Sequence, residues 1–223
     1  MGIRLFSWGE KNMLKALFYP DVSFNSLYIP YIYKEIYFEN VYADIFNQNH
    51  NMVIIDVGAN IGIVTQYMRD YAKKVYAIEP ASKHFKALKK NKKYNKWDNV
   101  EIFKMAIADR NGRMRLNNYN DNLTMYSITT NYHQGWELVD TMAIDTFFKK
   151  NDIDNVDFMK LDVEGAEDLI LRSKGFRKVV SKIKAIEIEF HLPFGEELIK
   201  YMVGFGYKAK KIPADANIVL FRR

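Results

Sequence analysis

From Val53 onward, short apolar runs alternate with amphipathic stretches, and this alternation predicts a parallel sheet with helices on both faces. The apolar runs place strands at about 53–57, 75–79, 101–105, 156–161 and 184–190. Helical spacing fills the intervals at about 61–71, 81–94, 141–150, 164–173 and 194–204. Near the end, Tyr207 to Lys211 and Asn217 to Arg222 flank Ile212-Pro213-Ala214-Asp215-Ala216 and predict a closing antiparallel hairpin. The expected class is α/β: one doubly wound, mostly parallel sheet with a C-terminal hairpin.

Two regions break the alternation. Residues 1–50 are aromatic-rich, as in Tyr28-Ile29-Pro30-Tyr31-Ile32-Tyr33, and carry no glycine-rich fingerprint. They read as an N-terminal cap or extension ahead of a main domain over 51–223, either packed on the sheet edge or facing a substrate. Residues 108–140 are polar and Asn-rich, with Asn111-Gly112 as a turn signal. They read as an insertion of short strands, and long insertions in compact domains are commonly functional.

Composition narrows the chemistry. With no cysteine among the 223 residues, disulfide frameworks, thiolate zinc sites and cysteine nucleophiles are excluded. No apolar run reaches the roughly 18 residues of a membrane span, and Met1 to Asn12 has no apolar signal-peptide centre, so a cytoplasmic protein is expected. The net charge of +6 favours anionic partners, and its densest basic run, Lys83 to Lys96, reads either as the solvated face of a helix or as a nucleic-acid footprint.

Ligands of open α/β sheets bind beyond the carboxyl ends of the strands. After the first strand comes Asp56-Val57-Gly58-Ala59-Asn60-Ile61-Gly62. A dinucleotide site calls for G-x-G-x-x-G, but Gly58, Asn60 and Ile63 occupy those places, which argues against NAD or FAD. Acidic-x-Gly-x-x-x-Gly suits a cofactor with an amino-acid head and no phosphate: Gly58 and Gly62 permit the turn and close approach, and Asp56 can attract an ammonium group. Glu79 ends the second strand 23 residues beyond Asp56, about where an acceptor for ribose hydroxyls is expected. The pair points to S-adenosylmethionine.

Beyond the third strand, Ala106 and Ile107 are small or apolar enough to let an adenine ring lie against the backbone, with Asp109 at its edge or merely in a turn. The fourth strand ends in Lys160-Leu161-Asp162-Val163-Glu164-Gly165-Ala166-Glu167. Asp162 is a candidate to orient the acceptor or act as base, whereas Glu167 and Asp168 read as first-turn helix carboxylates. The fifth strand delivers Glu189 and His191 to the same rim, and His191 is the candidate general base because imidazole titrates near neutrality. No convincing set of oxygen ligands for a metal can be assembled from sequence, and none is expected.

These blocks, together with Met142-Ala143-Ile144-Asp145-Thr146-Phe147 and above all K-x-D-V-E-G-A-E, resemble the FkbM family of S-adenosylmethionine-dependent methyltransferases over roughly residues 50 to 192. The resemblance implies a Rossmann-like class I methyltransferase sheet. It places Asp56, Gly58, Ala59, Asn60 and Gly62 around the methionine part of the cofactor and Glu79 on its ribose, with Ala106, Ile107 and Asp162 beside it. It further implies O-methylation of a hydroxyl on a small molecule, sugar or glycolipid. The alternatives are a tRNA or rRNA methyltransferase, which the basic helix would serve, and a catalytically inactive cofactor-binding module.

Overall fold

A computed structural model describes residues 43–46, 50–118, 126–129, 135–191, 195–212 and 215–223. Most of the aromatic-rich segment, and the centre of the 108–140 insertion, lie outside the described residues.

In chain order the elements are α1 (Ala43–Phe46), β1 (Met52–Val57), α2 (Ile63–Met68), β2 (Ala72–Ile78), α3 (Ser82–Tyr94) and β3 (Val100–Phe103). Then follow β4 (Ala106–Ala108), β5 (Gly112–Asn118), β6 (Tyr126–Ser127), β7 (Trp136–Ala143), α4 (Ile144–Lys150) and β8 (Val156–Leu161). The chain closes with α5 (Glu167–Leu171), α6 (Lys174–Val179), β9 (Ile183–Glu189), α7 (Gly195–Val203), β10 (Lys208–Ile212) and β11 (Asp215–Arg222).

The main sheet has the order β10-β11-β9-β8-β1-β2-β3. Its five inner strands, β9 to β3, run parallel through four pairings, β11 adds antiparallel to β9, and β10 completes the predicted hairpin against β11. The chain builds outward from β1 through β2 to β3, then returns to lay β8 on the other side of β1. That reversal opens a crevice between the carboxyl ends of β1 and β8, where open α/β sheets bind ligands.

Strand alternation divides the core. Ile55, Val57, Met159, Leu161, Ile186 and Ile188 point to the face covered by α4 to α7, through Phe147, Ile170, Phe176 and Met202. Ile54, Val75, Ala77 and Phe158 point to the opposite face, covered by α1 to α3 and Trp97. Burial on both faces explains why β1 and β8 read as nearly continuous apolar runs.

Three boundaries differ from the sequence reading, each for a local reason. The third strand stops at Phe103, and Ala106 to Ala108 instead pair with Thr141 to Ala143 in a second sheet of order β4-β7-β5-β6. That pairing also keeps residues 141–143 extended, so the helix expected from 141 begins at Ile144. The helix expected over 164–173 begins only at Glu167, because Glu164 (φ 53°) and Gly165 (φ 97°) are left-handed. It ends where Ser173 caps a separate helix, its Oγ accepting from the Phe176 amide at 3.0 Å.

Candidate active site

The crevice opens into a cleft lined by residues from the ends of β1, β2 and β8. Gly58 and Asn60 from the first turn, and Glu79 from the end of β2, line one part of it. Ile78, Met105, Ile107 and Ile128 supply apolar wall, and Asp162 and Glu164 line the part beside β8.

The glycine turn is shaped first by protein contacts. The Gly58 and Ala59 amides both donate to the Ile78 carbonyl at 3.0 Å, tying the turn to the end of β2. Gly58 has φ 87°, and a Cβ there would stand 1.8 Å from the Asp162 carbonyl oxygen. Gly62, with φ 93°, is pressed against the side chains of Leu88 and Trp97. The close approach predicted at these glycines is therefore to the chain itself; Gly58 also lines the cleft, whereas Ala59 and Gly62 lie behind its wall.

Glu79 joins two turns. One carboxylate oxygen accepts from the Asn60 amide and the other from the Ala81 amide, each at 2.8 Å. A carboxylate has about four acceptor positions, so two backbone bonds leave capacity towards the cleft. His84 stands 3.7 Å from Glu79, also lines the cleft, and meets Tyr126 edge-on.

Asp56 behaves differently from its sequence reading. Its side chain is wholly buried, does not line the cleft, and accepts from Thr65 Oγ1 at 2.5 Å. Burial raises its pKa, against the pull of Lys160 and the Thr65 hydroxyl. The register explains the company it keeps: Asp56 pairs with Lys160, and Lys160 with Glu187, so one buried cation sits in a cross-strand row between two carboxylates. Burial opposes the Lys160 charge, but Asp162, Asp56, Glu189 and Glu187 outweigh it and hold the ammonium well above its usual pKa. Lys160 was legible only as a letter of the K-x-D-V-E-G-A-E block; its signal was a charge inside an otherwise apolar strand.

At the rim of the cleft the fold assembles a cluster from two separated segments. Asp162 gives one oxygen to Lys160 Nζ at 2.7 Å, while the other lies 3.9 Å from His191 Nε2. Glu189 and Glu164 approach the same nitrogen at 3.5 and 3.6 Å. The opposite ring nitrogen, Nδ1, lies 3.0 Å from the carboxylate of buried Glu167, which also accepts from the Gly165 amide. Glu167 thus faces inward, unlike Asp168, which pairs with Arg172 at the surface as a first-turn carboxylate.

Charge sets the protonation states. Burial opposes the His191 charge, but hydrogen bonds to Glu167 and Glu189 and the nearby Asp162 and Glu164 raise its pKa to about 11. The surrounding carboxylates therefore favour the protonated form of the expected general base. Asp162 lies below the usual carboxylate range because Lys160 and His191 overcome its burial. Burial, aided by Asp162, Glu189 and Glu167 and opposed by His191, pushes Glu164 up to about 8. Of the other predicted residues, Ala106 and Ile107 line the cleft, whereas Asp109 does not and pairs with Arg110. The sequence yielded no metal set, yet one ligand atom from each of Asp162, Glu164 and His191 lies within 4.8 Å of the others.

A parallel sheet with this strand order, a glycine turn after its first strand and acidic residues after the second and fourth define a Rossmann-like methyltransferase. The Methyltransferase FkbM domain matches residues 56–209, more than half of the chain, and the protein belongs to that family. Methyltransferase 1 of Beauveria bassiana is 26% identical over 168 residues, covering 66% of this chain and 67% of that one. Methyltransferase sdnD of Sordaria araneosa is 29% identical over 175 residues, covering 64% of this chain and 67% of that one. The crystal structure of Methyltransferase FkbM from Methylobacillus flagellatus superimposes with a TM-score of 0.59 at 19% identity, which speaks for the fold. That match covers 86% of this chain and 48% of the other, so the chain spans about half the length of this solved relative. Among the described residues, no helix is long and apolar enough to cross a membrane.

Proposed function

We propose that the protein is an S-adenosylmethionine-dependent O-methyltransferase acting on a hydroxyl of a small molecule, sugar or glycolipid. The observation that carries this reading is one cleft bounded by the Gly58–Asn60 turn and Glu79 at one part and by Asp162 and Glu164 at another. Apolar wall, main-chain polar groups and a carboxylate with spare acceptor capacity fit a nucleoside joined to an amino acid, and among the described residues no lysine or arginine lines the cleft to hold a phosphate. When bound, the cofactor supplies an already activated methyl group on a sulfonium centre.

The chain's own contribution is then alignment, exclusion of water and acceptance of the hydroxyl proton. Glu79 binds the ribose hydroxyls, and Ile78 and Ile107 flank the base. Asp56 and Gly62, behind the wall, fix the turn that carries Gly58 and Asn60. Asp162 orients the acceptor hydroxyl at the rim, and its proton passes into the carboxylate cluster around His191.

Titration calorimetry with S-adenosylhomocysteine tests the cofactor reading. Glu79→Ala is expected to weaken that binding by about 1.5–3 kcal/mol, the worth of hydrogen bonds to a charged group, or roughly tenfold to a hundredfold in Kd. No heat of binding in the unmodified protein would remove the cofactor from this reading.

A second reading, methylation of tRNA or rRNA, has one observation in its favour. Lys83, Lys86, Lys89 and Lys93 are exposed along α3, and that helix contains no acidic residue. If RNA is the acceptor, affinity for a short RNA should fall steeply between low and physiological salt, as counterion release requires. Salt-insensitive or absent binding would leave the small-molecule reading alone.

A further inference from the structure

We propose that Asp162, Glu164 and His191 form a site for one first-row divalent cation at the rim of the cleft, with Glu167 positioning the imidazole. The inference rests on the methyltransferase reading for its purpose, but not for its geometry.

Three features converge. His191 uses Nδ1 for the buried carboxylate of Glu167 at 3.0 Å, which fixes the ring so that Nε2 turns the other way. Metal-binding histidines are commonly oriented by such a carboxylate on the opposite nitrogen. Around Nε2, the oxygens of Glu189, Glu164 and Asp162 stand at 3.5, 3.6 and 3.9 Å. Metal–ligand bonds of about 2.0–2.2 Å put neighbouring donors roughly 3.0–3.5 Å apart, so the donors of Asp162, Glu164 and His191, which lie within 4.8 Å of one another, would draw together around an ion. Finally, Asp162 spends its other oxygen on Lys160, which locks that carboxylate in place and leaves one oxygen for the cluster.

The ligand chemistry selects the ion. One imidazole with carboxylates suits Mn²⁺ or Zn²⁺ better than Ca²⁺, which takes six to eight oxygen ligands. Coordination needs the neutral imidazole, so the ion would take the place of the His191 proton among the carboxylates of Asp162, Glu164 and Glu189. Both Asp162 and Glu164 line the cleft, so an acceptor hydroxyl reaching the ion would release its proton more readily. Such an ion would serve in place of the expected histidine base.

The test is titration of chelator-treated full-length protein with MnCl₂, with free Mn²⁺ followed by electron paramagnetic resonance. The expected result is saturable uptake of one equivalent, weakened roughly tenfold or more in Glu164→Gln and in His191→Gln. Glu167→Gln, which removes no ligand and keeps an oxygen for the Gly165 amide, should weaken it roughly 10–100-fold, because the imidazole loses the carboxylate that orients it. Absence of saturable uptake by the unmodified protein overturns the proposal. So does unchanged affinity in Glu164→Gln, a near-isosteric change at a partly exposed side chain that leaves the core intact. Calorimetry with S-adenosylhomocysteine on the same treated protein separates the two readings. Binding there without Mn²⁺ uptake removes the metal site alone, and Mn²⁺ uptake without it removes the cofactor alone.

Discussion

Gly58→Ala should abolish cofactor-analogue binding and destabilise the fold by more than about 4 kcal/mol, a loss reserved for severe backbone or core conflicts. The added Cβ would lie 1.8 Å from the Asp162 carbonyl oxygen and 3.0 Å from its carbon, and both are backbone atoms that no rotamer change can move. The φ of 87° adds the left-handed penalty of about 1–2 kcal/mol. Relief requires prising apart the ends of β1 and β8, the two strands between which the cleft opens. Gly206→Ala separates the two causes, because Gly206 has φ 88° but nothing within 4 Å of an added Cβ. It should lose only the left-handed penalty. Urea denaturation of both variants measures the difference, and equal losses would show that the contact with Asp162 yields harmlessly.

Lys160→Met should cost about 3–5 kcal/mol, the usual result of removing one member of a buried ion pair and stranding the other. Asp56 and Glu187 flank Lys160 in register, all three are buried, and Asp162 holds it at 2.7 Å. The sign of the pH dependence follows from Asp56, whose pKa is already raised by burial. A carboxyl with a raised native pKa binds more protons folded than unfolded, so stability falls as pH rises above the unfolded value. Without Lys160 that native pKa climbs further, and the deficit against the unmodified protein should be larger at about pH 7 than at about pH 5. Denaturation curves at the two pH values measure it. A deficit that grows towards acid would show that Lys160 does not compensate Asp56.

The same residue separates what was legible in the sequence from what was not. Apolar periodicity located β1, β2, β8 and β9 because each strand's burial on two faces is a local property of its own residues. The turn after β1, Glu79 at the end of β2 and Asp162 at the end of β8 followed from their positions at strand ends. The helix starts were misjudged where tertiary pairing prevailed: Thr141 to Ala143 stay extended against β4 and β5, and Glu164-Gly165 turn left-handed beside the cleft.

By itself, then, the sequence determined the doubly wound α/β order, the hairpin and which residues stand at the strand ends. Only the tertiary structure decided that Asp56 is a buried member of an ionic row, that Gly58 is compelled by Asp162, and that His191 stands among carboxylates. The physical reason is that periodicity reports which face of an element is buried, whereas these contacts depend on which strands lie side by side and in what register. Here β8 is inserted next to β1 across about a hundred residues of chain, as the 104-residue separation of the Val53–Asp157 hydrogen bond illustrates.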